Sequence, residues 1–88
     1  VAKQGVVAVG RIGVQAVNKP GVMALQCSAV AQAGGNITRV ETGERAADFL
    51  QLIFDIEVED LRHLEHIRAA LRSLAVVESV ERIEETTN

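Results

Sequence analysis

The chain has 88 residues, a formal net charge of −3 and 48% hydrophobic content. That is one domain with a modest core, too apolar for a disordered tail and too poor in basic clusters for a nucleic-acid footprint. Its apolar runs are too short to cross a bilayer, and the lone Cys27 allows neither an internal disulfide nor a cysteine zinc site, which fits a reducing cytoplasm. The chain opens on Val with no signal peptide and reads as a piece of something larger.

Residues 1–5 and 84–88 read as flanking linker and tail around a core of about 10–83. A period-2 pattern predicts a first strand over 6–17, with Ile12, Val14 and Ala16 on one face and Arg11, Gly13, Gln15 and Val17 on the other. Pro20-Gly21 turns the chain, and Pro20 suits the first turn of a helix. That helix presents a thin stripe of Met23, Cys27, Val30 and Gly34, with Ala24, Ala31 and Ala33 alongside, so it must lie close to its sheet. Gly34-Gly35 predicts a left-handed C-terminal cap.

A second strand is expected over 36–42, followed by a turn at Gly43–Ala47. In the third, Leu50, Leu52, Phe54, Ile56 and Val58 alternate with Gln51, Ile53, Asp55 and Glu57. Asp60 is a good N-cap for a second helix whose Leu61, Leu64, Ile67, Leu71 and Leu74 form one apolar face. A last strand over 76–83 holds Val76, Val77, Val80 and Ile83, and its broken alternation predicts a bulge or a register change. The order βαββαβ predicts an α+β, ferredoxin-like fold, with a four-stranded antiparallel sheet and both helices on one face.

Many functions share that plan, and missing residues narrow them. With only Phe49 and Phe54 as aromatics, the chain has no base-stacking face for RNA, and the lone Cys27 rules out a paired-cysteine copper site. His63 and His66 are three apart without a matching third ligand, and read as solvent-facing. Cys27 reads as a small core residue. No nucleophile–base set stands at a turn, so no catalytic residue, metal ligand or cofactor is assigned.

The remaining signal is Asn18-Lys19-Pro20-Gly21-Val22, followed by Gly34-Gly35-Asn36-Ile37 at the other end of one helix. Gly21 lets backbone N–H groups at a helix N-terminus approach a small anion such as a carboxylate. This set resembles the ACT family of small amino-acid-binding regulatory domains, over about residues 10–83. The second half, with Asp60-Leu61-Arg62-His63-Leu64 and Val77-Glu78-Ser79-Val80-Glu81-Arg82, is similar to the C-terminal ACT domain of RelA/SpoT-type enzymes, which make and hydrolyse (p)ppGpp.

The resemblance implies a non-catalytic, cytoplasmic regulatory module that forms a homodimer through strand two and helix one. It places an amino acid between two copies. Asn18 and the N–H groups of Gly21 and Val22 would come from one chain, and Asn36 and Ile37 from the other. A site lined by Ala16, Val17, Val22 and Ile37 suits a branched-chain ligand better than serine, since serine-sensing members carry histidine where Ala16 stands. Two departures are Leu25 and Gln26, whose apolar and polar characters are swapped relative to the family, so helix one is expected to sit slightly rotated. Two other readings remain: a structural module docking on the ribosome or on other domains of the parent enzyme, and an ACT domain of an amino-acid metabolic enzyme.

Overall fold

A computed structural model of the chain describes residues 8–83. The predicted start of the first strand at 6–7 and the flanks 1–5 and 84–88 lie outside the described residues. The elements follow in the order β1 (Ala8–Val17), α1 (Val22–Gln32), β2 (Asn36–Arg45), β3 (Phe49–Val58), α2 (Leu61–Arg72) and β4 (Val77–Ile83). The four strands form one antiparallel sheet in the order β2-β3-β1-β4, with both helices on one face, as the alternation and crossover rules predict. The turn before β3 is later than expected: β2 runs on to Arg45, and register shifts after Ile37 and after Thr42 absorb the extra residues. The expected irregularity in β4 is present, because Gln15 pairs with Ser79 but Ala16 pairs with Val77.

The central strands carry the core. Ile12, Val14 and Ala16 of β1 and Leu52, Phe54, Ile56 and Val58 of β3 are buried on the helix side. Leu64, Ile67 and Leu71 of α2 close over them, each burial worth roughly 1.5–3 kcal/mol. Leu61, at the head of the predicted stripe, is 47% exposed. Asp60 caps α2 as predicted, its Oδ1 accepting the His63 N–H at 2.8 Å.

Helix α1 departs from expectation in two ways. Pro20 stands outside the helix, which begins at Val22 with Gly21 as N-cap at φ 87°, a conformation that favours glycine. Its buried face is Val22, Gln26 and Val30, with Cys27, Ala29 and Ala33 packed alongside, while Met23 is 45% exposed. Gln26 goes inside at 1% exposure and Leu25 stays outside at 48%. Small apolar residues all round α1 leave little periodicity, so packing of Val22, Ala29, Val30 and Ala33 selects the face and takes Gln26 with it. The Gln26 Oε1 is buried without a hydrogen-bond partner.

The other end of α1 is held by a side chain. Gly34 follows the helix at φ 89°, supplying the left-handed cap. His63 is half-buried here: its Nδ1 accepts the Glu59 N–H at 3.0 Å, and its Nε2 lies 2.8 Å from the Ala33 carbonyl oxygen. A nitrogen that accepts from a backbone N–H carries no proton, so the proton sits on Nε2 and is donated to Ala33. His63 therefore clamps the start of α2 to the end of α1, correcting the solvent-facing reading, while His66 is exposed.

Two outcomes follow in chemical denaturation. Replacing Gln26 by Met, similar in shape and apolar, removes an unmet acceptor and should stabilise the chain by about 1–3 kcal/mol. His63→Ala loses two hydrogen bonds and should cost about 1–3 kcal/mol.

Candidate functional site

The turn between β1 and α1 is pinned from below. Asn18 donates its Nδ2–H to the Ala46 carbonyl at 2.9 Å, and its backbone N–H goes to the Asp48 carbonyl at 3.2 Å. Ala46 in turn donates its N–H to the Phe49 carbonyl at 2.8 Å, closing the β2–β3 turn. Asn18 thus ties the entrance of α1 to the far end of β2. Above it, the first turn of α1 has no side-chain cap and no acidic residue. The Val22 N–H reaches back to the Lys19 carbonyl at 3.3 Å, and the first helical bond runs from Leu25 to Gly21. The N–H groups of Met23 and Ala24 are left without an acceptor among the described residues, a bare donor pair at the positive end of an eleven-residue helix.

Asn36 and Ile37 lie at the opposite end of α1, whose length is about 16 Å. Asn36 Nδ2 donates to Glu57 Oε1 at 2.9 Å across the open sheet face, and Ile37 is half-buried against the core. One chain therefore brings Asn18, Gly21 and Val22 together, and Asn36 with Ile37, but keeps the two groups apart.

Two concavities lie elsewhere. A cleft of about 480 Å³ at the start of β1 is lined by Val9, Gly10, Arg11, Asp55, Leu61 and Arg82 among others. A groove of about 250 Å³ runs between the helices along Ala29, Ala33, His66, Ala70 and Leu74. None of the five predicted residues lines either one. Sequence reading missed the first because Arg11 and Asp55 meet only through the β1–β3 register. Arg11 Nε and Nη2 donate to the two Asp55 oxygens at 2.8 and 3.2 Å. That hydrogen bonding holds the Asp55 carboxyl below its ordinary value against the opposing effect of burial, with the Arg11 and Arg39 charges adding to it. Among the described residues no group of three or more His, Cys, Asp or Glu side chains could hold a metal ion, and no helix is long and apolar enough to cross a membrane.

The family model for the ACT domain matches residues 8–82. The chain belongs to the ACT-domain family. This ACT domain is 38% identical over 73 residues to GTP pyrophosphokinase rsh of Brucella abortus, covering 83% of this chain and 10% of that protein. The chain thus spans about a tenth of the length of the curated relatives it matches. The solution structure of the ACT domain from GTP pyrophosphokinase of Chlorobium tepidum superposes with a TM-score of 0.76 at 18% identity, over 91% of this chain and 90% of that one. The acetolactate synthase small subunit of Thermotoga maritima gives 0.76 at 24% identity, over 88% and 48%. These likenesses bear out the fold, and the relationship to a GTP pyrophosphokinase accords with the resemblance in the second half of the sequence.

The Arg11–Asp55 pair has a pH signature. A carboxyl held low in the folded chain contributes stability above its unfolded pKa of about 3.9, and that contribution is lost as pH falls through the folded value. Asp55→Asn should therefore be less stable than the parent near neutral pH, and the gap should close in strong acid. Urea titrations of both proteins across that range measure it.

Proposed function

We propose that this ACT domain is a regulatory module of a longer (p)ppGpp synthetase/hydrolase, that it pairs with a second copy through β2 and α1, and that it senses an aliphatic amino acid at the seam. One observation carries the reading: the Asn18–Ala46 hydrogen bond anchors the α1 entrance to the C-terminal end of an edge strand whose N-terminal end bears Asn36 and Ile37. Antiparallel pairing of two β2 strands about a two-fold axis sets the partner's Asn36 and the partner's Ile37 beside the Asn18 turn. A site split across one chain becomes whole across two.

The edge itself favours pairing. β2 is ten residues long with unpaired backbone groups on one side. Its central charges, Arg39 and Glu41, neutralise each other in an ion pair. On the helix side Val40 is 37% exposed. Ala29 and Ala33 face the α2 groove, and helix geometry puts Met23 and Cys27 on the flank turned away from it, toward this edge. Met23, Val40 and the strand edge form a patch that a second copy covers with the same residues.

The ligand's carboxylate takes the bare N–H groups that follow Gly21 at the first turn, with the Asn18 amide beside them. Its side chain lies against Val22 and the partner's Ile37, and the partner's Asn36 closes the polar end. Size and apolarity of that lining favour valine, leucine or isoleucine.

Light scattering at millimolar concentration should give a dimer, and Val40→Lys should return it to monomer. Calorimetry with the three branched-chain amino acids should show binding that Asn36→Ala weakens about tenfold, as expected for a polar contact worth about 1.4 kcal/mol. Glu78→Ala, on the opposite edge of the sheet, should leave affinity unchanged. A dimer that binds none of the three overturns the sensing half and leaves a docking module for other domains or the ribosome.

A further inference from the structure

We propose that the β2 seam is coded by charge: its two-fold axis passes through Val40, so that Arg39 of each copy faces the partner's Glu41 and the seam selects a second copy of this chain. This rests on the proposed pairing through β2 and α1 and fixes its register.

Two features of β2 limit where the axis can fall. Register shifts after Ile37 and after Thr42 leave residues 39–42 as the regular stretch of the strand. Within it Val40 pairs with Phe54 on the core side, while Arg39 pairs with Asp55 and Glu41 with Ile53 on the open face. Directly opposite residues of an antiparallel pair share a face of the sheet. Two copies that keep their helices on one side therefore set the axis through a residue, not between two.

Four positions remain, and charge separates them. An axis at Arg39 sets that guanidinium against its own counterpart, and an axis at Glu41 does the same with the carboxylate. An axis at Thr42 brings Arg39 level with the partner's Arg45. Like charges directly opposite destabilise a ladder, and opposite charges stabilise it. Only an axis at Val40 gives both charges of the stretch an opposite neighbour, Arg39 facing the partner's Glu41 and Glu41 facing the partner's Arg39. Each chain already holds Arg39 and Glu41 as an ion pair, so the four side chains alternate in sign around the axis. The two stand 61% and 42% exposed, free to meet a second chain. Across the open face the row then reads Arg11, Asp55, Arg39 and the partner's Glu41, alternating in sign from strand to strand. On the core side, the part-exposed Val40 meets the partner's Val40.

The same register serves the split site. Counted from Val40, the partner's Asn36 comes level with Glu44, two residues before Ala46, whose carbonyl accepts the Asn18 amide. Charge balance on the open face and the place of the Asn18 turn thus select one pairing from separate observations.

The test is charge reversal, read by analytical ultracentrifugation in about 0.15 M salt, where exposed charges act over about 8 Å. Arg39→Glu and Glu41→Arg should each weaken dimerisation about tenfold or more, since two attractive contacts become two repulsive ones. The double variant Arg39→Glu/Glu41→Arg reverses every pair at unchanged net charge and should dimerise as the parent does. An equimolar mixture of the two single variants should form heterodimers in excess of random pairing. In about 1 M salt, where the reach falls to about 3 Å, the variants and the parent should converge. Single variants that dimerise as tightly as the parent, a double variant as weak as the singles, or a mixture at random proportions overturns the charge code and leaves the dimer standing. A parent chain that stays monomeric at millimolar concentration overturns the pairing itself, and the code with it.

Discussion

The fold depends on how closely the end of α1 can approach the core. A Cβ added at Gly35 would lie 2.7 Å from Ile67 Cδ1, 2.8 Å from Ile56 Cγ2 and 3.0 Å from Val30 Cγ1. No side chain fits where α1, α2 and β3 converge on that backbone. Gly34 turns the chain in the left-handed region and Gly35 passes through the contact, so β2 starts hard against the core and runs out along the sheet edge. The small residues of α1 serve the same end: Ala29 and Ala33 let the helix settle close to its neighbours without a large apolar stripe.

Close approach at one end leaves the rest of α1 and β2 thinly covered. His63 and the two glycines secure the C-terminal end of the helix, and Asn18 secures the entrance. Between those anchors lie a part-exposed Val40, an exposed Met23 and a long edge with its backbone unpaired. The two ends of α1 therefore hold the polar groups of the proposed site, and the surface joining them is the one proposed to pair with a second copy. The fold keeps the halves of the site apart in one chain because the helix between them is rigid.

Where local preference and burial conflict, the conflict falls at α1. In β3 and over most of α2 pattern and packing agree: the alternation of β3, the Leu64, Ile67 and Leu71 stripe and the Asp60 cap all point to one structure. Only α1 buries an amide beside an exposed leucine. Its apolar residues are small and spread around the axis, so no face is strongly preferred by solvent. The helix takes its orientation from the sheet beneath it, and Gln26 is carried inside with that face.

The strand–helix order, the core faces of β1 and β3, the cap of α2 and the glycine exit of α1 were legible from sequence, because each rests on groups within a few residues of one another. Period-2 and period-3.6 patterns and turn chemistry are local physics. So were the Asn-x-Pro-Gly turn and the Gly-Gly-Asn-Ile exit as the two ends of α1. Tertiary structure decided what depends on distant partners. It chose the buried face of α1 and drew Asn18 to a carbonyl 28 residues away. It set Arg11 against Asp55 across 44 residues and made His63 a clamp on Ala33 across 30. Those contacts follow from sheet register and helix docking, which the summed packing of the whole core sets and no short pattern encodes.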